Sequence, residues 1–84
     1  MDRQFLALND RWNVAFDQNQ WIVQKRTGTE WRSVSFIASD KRILQRILCS
    51  LDIIPTAEAK RTVRCLPDSF KDWYASLASS EASE

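Results

Sequence analysis

The sequence contains no histidine, a single glycine, two prolines and two cysteines, and no apolar run long enough to span a bilayer. Without histidine there is no Cys–His catalytic pair, no imidazole metal ligand and no ordinary general base near neutrality. With one glycine there is no Gly-rich loop to cradle phosphates. Cys49 and Cys65 have fifteen residues between them, which is not a metal-ligand spacing. In a reducing compartment both are expected to be small buried hydrophobes. Neither sign of charge dominates: 12 Lys+Arg stand against 11 Asp+Glu, so no global field points to nucleic acid or membrane. The opening stretch, "MDRQFLALND", lacks the apolar centre of a signal peptide, and a cytoplasmic location is expected.

What the chain does have is aromatic mass. Four tryptophans, four phenylalanines and one tyrosine in 84 residues give a short chain the area needed for one core. A single domain over 1–84 is expected, with an ordered core at about 10–77 and a small, polar, flexible tail at 78–84.

Three segments alternate as strands do: "WNVAF", "WIVQKR" and "WRSVSFI". The polar stretch "DQNQ" separates the first two, and "TGTE" separates the next, with Gly28 placed for a tight hairpin. Ser39 reads as the N-cap of a helix along "DKRILQRILCSLDI", where Ile43, Leu44, Ile47, Leu48 and Leu51 recur at helical spacing. Pro55 stops it, and Thr56 caps a second helix, "AEAKRTVRCL". After Pro67, Asp68 or Ser69 caps a third, with Phe70, Trp73, Tyr74 and Leu77 on one face. The expected architecture is α+β: a three-stranded antiparallel meander followed by three short helices packed on one sheet face. The segment "QFLAL" reads as a short helix or an irregular lead-in rather than a fourth strand.

Centring the hairpins on Gln18-Asn19 and Gly28-Thr29 pairs Phe16 with Trp21, Val14 with Val23, Arg26 with Trp31, Val23 with Val34 and Trp21 with Phe36. Trp12, Val14, Phe16, Trp21, Val23, Val34 and Phe36 then form the core face. Asn13, Ala15, Ile22, Gln24, Arg26, Trp31, Ser33 and Ser35 form the outer face.

That outer face is the first candidate site. Trp31 and Arg26, with Gln24 beside them, are residue types enriched at binding hot spots, and a tryptophan on a sheet can also stack an unpaired base. The plainer reading is a cross-strand cation–π pair that only steadies the hairpin. In a third, "QFLAL" folds over Trp31. The second candidate is a basic bias. From Lys25 to Arg64 nine basic residues face four acidic ones, among them Arg32, Arg42 and Arg46. Such a patch suits phosphates or an acidic protein surface, although a solvated helix face is the commoner explanation. Asp68 and Asp72 lie four apart, but at a helix start, where the dipole accounts for carboxylates. No enzymatic activity, cofactor or metal is expected.

The block "RWNVAFDQNQWIVQKRTGTEWRSVSFIASDKRILQRIL" with the later "LPDSFKDW" resembles small proteins of alphaproteobacterial genomes and their prophages. The resemblance runs from about Arg11 to Trp73 and carries no functional residue with it. It implies a phage-linked protein in a bacterial host. Proteins of that size and setting include anti-CRISPR inhibitors, which bind a Cas subunit or complex and block DNA binding or cleavage. The chain lacks the acidity of inhibitors that mimic DNA. A protein-interaction module of the inhibitor kind is the leading expectation. A small nucleic-acid-binding protein and a homodimer joined through an open sheet edge are the alternatives.

Overall fold

Asn9 turns the chain back on itself near its beginning. In the computed structural model, which describes residues 3–82 and side chains up to residue 77, its Oδ1 accepts from the Arg11 and Trp12 amides at 2.8 and 3.0 Å. The Leu8 amide donates to the Trp12 carbonyl, closing the reversal. The segment before this turn is therefore a strand, β1 (Arg3–Ala7), paired antiparallel with β2 (Trp12–Phe16). With β3 (Trp21–Thr27) and β4 (Glu30–Ile37) it makes a four-stranded antiparallel sheet in the order β1-β2-β3-β4.

The expected three-stranded meander is corrected by this strand. The physical reason is a β-bulge at Phe5, between the Gln4–Ala15 and Leu6–Val14 pairs. Phe5 and Leu6 are adjacent in sequence, yet both pack against the core. The bulge thus removes the alternation by which a strand is recognised.

The other two turns behave as their sequences suggest. Asp17 accepts from the Asn19 and Gln20 amides through Oδ1, and Phe16 faces Trp21. Gly28 has φ +66° while Thr29 keeps a negative φ, the signature of a type II′ hairpin. Arg26 therefore faces Trp31, as the sequence implies.

Beyond that pair the register departs from expectation. A second bulge inserts Val34 between the Gln24–Ser33 and Val23–Ser35 pairs. Ile37 then faces Trp21, and Phe36 faces Ile22. The expected pairs Val23–Val34 and Trp21–Phe36 do not form, and neither Val34 nor Phe36 joins the core. Alternation alone cannot choose between the neighbouring apolar residues Phe36 and Ile37; the extra residue in β4 chooses Ile37.

Three helices follow: α1 (Lys41–Ser50), α2 (Ala57–Arg64) and α3 (Phe70–Ala82). Asp40, not Ser39, caps α1, accepting from the Ile43 amide. The Ser39 carbonyl instead takes the Phe70 amide, and the Lys41 amide donates to the Asp68 carbonyl. The starts of α1 and α3 are so joined. Lys41 Nζ donates to the Arg64 and Leu66 carbonyls, both at 2.9 Å, and ties off the end of α2. Thr56 caps α2 and Ser69 caps α3, each accepting from a backbone amide three residues on. The Leu8 carbonyl accepts the Thr56 amide, fastening the first turn to the loop before α2.

α1 ends in a Schellman motif: Asp52 donates to the Cys49 carbonyl and Ile53 to the Leu48 carbonyl. Asp52 has φ +55° at the position where glycine is the usual residue. Leu48 and Ile53, the apolar pair of that motif, both enter the core.

The core joins Leu8, Val14, Trp21, Val23 and Ile37 of the sheet side to Leu44, Leu48, Ala59, Val63, Phe70 and Trp73 of the helices. Trp73 stands at its centre, with ring centroids 4.7 Å from Phe5, 4.9 Å from Phe16 and 5.8 Å from Trp21. Cys49 and Cys65 are both free and exposed, against expectation. Cys49 sits just off the Leu44–Leu48 stripe, and Cys65 follows the last residue of α2. The tail expected to be flexible from 78 to 84 is backbone helix as far as Ala82, and the rest lies outside the described residues.

Two outcomes test this packing. Trp21→Ala, at a fully buried position, should cost about 3–5 kcal/mol in urea unfolding. Asp52→Gly should raise stability by about 0.5–1 kcal/mol, because only its left-handed backbone conformation is relieved.

Candidate functional site

Side chains on the outer face of the sheet fall into three cross-strand rows. Arg26 and Trp31 form one; Ala7, Asn13, Gln24 and Ser33 form the next; Gln4, Ala15, Ile22 and Phe36 form the third. The middle strands are closed to solvent here: Asn13, Ala15 and Ile22 are each 1% exposed. Ala15 and Ile22 nonetheless stand outside the cluster that the helices build on the other face.

Exposure grows toward β4. Five large apolar side chains are exposed among the described residues, and three of them, Trp31, Val34 and Phe36, lie on this one strand. Trp31 is 38% and Phe36 56% exposed. The bulge is what puts both rings on the same face, since five residues of regular strand would set them on opposite faces. Sequence periodicity missed Phe36 and Val34 for that reason.

The polar members of the face are held in different ways. Arg26 does not lie over Trp31: its Nε donates to the Gly28 carbonyl at 3.1 Å, locking the side chain onto its own turn. Among the described residues the cation–π contact is Lys25 over Trp12, 5.7 Å from the ring centroid, on the helix side. Asn13 is the anomaly. Both atoms of its amide are buried with no hydrogen-bond partner among the described residues. A buried amide left unpaired costs on the order of 1–3 kcal/mol. Gln24, its register partner on β3, is almost as buried.

The six residues singled out from the sequence divide between two layers. Trp31, Arg26 and Gln24 share the outer face. Arg32 faces Lys25, and strand alternation turns both to the helix side. Arg42 and Arg46 lie on the exposed side of α1, roughly half a turn from Leu44 and Leu48, which pack down on the sheet. The tryptophan and the helix arginines therefore do not build one continuous surface. Lys41, counted in the basic bias, is engaged in tying off α2.

No family model, no curated protein and no solved structure matches the chain. Among the described residues no three acidic or cysteine side chains come together as a metal-binding group. No described helix is long and apolar enough to cross a membrane.

Asn13→Val should raise stability by about 1 kcal/mol or more in urea unfolding, by replacing an amide that has no partner among the described residues with a strand-forming apolar group. A loss of stability instead would mean that the amide is satisfied in solution.

Proposed function

We propose that this protein is a non-enzymatic interaction module that docks on a protein partner through the outer sheet face, with Trp31 and Phe36 as its anchors. The observation that carries the reading is the gathering of exposed apolar side chains on β4, with both rings on one face. Exposed aromatics rimmed by polar groups are the usual anatomy of a binding patch, and tryptophan is among the commonest hot-spot residues. Arg26 and Ser33 supply the exposed polar rim, with Gln24 buried between them. The resemblance to prophage-encoded proteins adds the sharper proposal that the partner is a bacterial defence complex such as CRISPR–Cas, inhibited by steric occlusion.

Single-stranded nucleic acid is the weaker reading on this geometry. A base-stacking platform needs basic groups tracking the backbone along the same face. Here Arg26 is turned onto Gly28, while Arg42 and Arg46 belong to the opposite layer.

The test pairs binding with stability. Trp31→Ala and Phe36→Ala should each change unfolding free energy by less than about 1 kcal/mol, since both side chains are exposed. Each should weaken capture of the partner by about 2 kcal/mol or more. The partner assay is co-purification with Cas subunits of several subtypes, together with phage plaquing on cells whose CRISPR system is active. Absence of both results across those subtypes removes the inhibitor reading. Binding to single strands that weakens steeply with salt would favour nucleic acid instead.

A further inference from the structure

The two edges of the sheet are built differently. β1 is five residues long, interrupted by its bulge at Phe5, and carries Arg3 and Gln4. Both edges carry a bulge and charged residues, Arg3 on β1 and Glu30 and Arg32 on β4, so length is what separates them: a very short edge strand offers little backbone to pair with. β4 is eight residues long and has neither proline nor lysine. One side of it is bonded to β3, and no backbone hydrogen bond reaches its other side from any described element. Nearly every residue of the strand is exposed.

We propose that β4 pairs antiparallel with β4 of a second copy of this chain, joining two four-stranded sheets into one of eight strands. Self-complementarity selects this occupant. Trp31 and Phe36 share the outer face and flank Ser33 and Val34. A two-fold axis at that midpoint sets Trp31 of one copy beside Phe36 of the other, and the same contact recurs on the far side of the axis. The bulge at Val34 interrupts the ladder locally, so residues on either side of it make the hydrogen bonds, and the paired rings cover the gap.

Charge does not oppose the contact. Glu30 and Arg32 are the only charged residues on β4, and the chain as a whole is at +1. Assembly also stops at two, because the edges left at the ends of the joined sheet are the β1 strands, only five residues long. A pair of eight-residue strands with their aromatics lies near the lower limit of specific interfaces, about 1,200 Å². The dissociation constant expected for it is on the order of 1–100 µM.

This inference rests on reading β4 as an interaction surface, and the experiment separates the two. Sedimentation of the full chain from about 1 to 500 µM should show the mass rising from the 9.8 kDa monomer toward twice that value. Phe36→Lys and Trp31→Lys should each weaken dimerisation at least about tenfold with unchanged far-UV circular dichroism, since both side chains are exposed. In a Cys49→Ser, Cys65→Ser background, Ser33→Cys should form an interchain disulfide with oxidised glutathione, and Gln4→Cys on β1 should not. A monomer at every concentration overturns the proposal. So does a dimer that ignores the β4 substitutions or cross-links through position 4. A monomer that still captures its protein partner through Trp31 and Phe36 overturns the dimer and leaves the proposed function standing. A β4-dependent dimer that binds no such partner does the reverse.

Discussion

The packing of Trp73 is the contact on which the rest of this structure depends. Its ring meets Phe5 from β1, Phe16 from β2 and Trp21 from β3, with Phe70 beside it on α3. One side chain thus holds three of the four strands to the last helix. In a chain of 84 residues, few residues are available for a core, so a single large ring carries a disproportionate share of the apolar burial. The strand bulge at Phe5 makes sense in this light. It disrupts a regular ladder, and in exchange turns a phenylalanine toward that tryptophan.

The second bulge has the opposite consequence. At Val34 it withdraws Phe36 from the core and leaves Ile37 there, so that an aromatic ring is given up to the outside. The exposed phenylalanine shares the outer face of β4 with the exposed tryptophan, on which the proposed binding role rests. The same face also buries polar side chains. Asn13 and Gln24 are buried side by side on the face away from the helices, the asparagine with no partner for its amide among the described residues. An apolar pair at those positions would avoid the desolvation cost of the buried amides.

Basic residues that are numerous in the sequence prove to have separate uses. Lys41 ties off a helix, Arg26 braces a hairpin, Lys25 lies over Trp12, and Arg42 and Arg46 stand on the far side of the helical layer. Their nearness in the sequence overstated their nearness in space. The local excess of positive charge is accordingly spread over both layers rather than gathered along one face.

Several features were determined by the sequence alone: the three helices and two of their caps, both later hairpins, the burial of Trp21 and the outward placement of Trp31. Each rests on short-range rules, such as the 3.6-residue stripe of Leu44 and Leu48, the capping hydroxyls of Thr56 and Ser69, and the positive φ that Gly28 supplies. The first strand, the placement of Phe36 and Val34, and the exposure of both cysteines were decided by tertiary structure. A bulge is one extra residue on one strand, and its position depends on which of two neighbouring apolar side chains the opposing helix accommodates. Adjacent pairs such as Phe5-Leu6 and Phe36-Ile37 read identically in the sequence. Packing against Trp73 brings both members of the first pair into the core, and packing against Trp21 admits one member of the second.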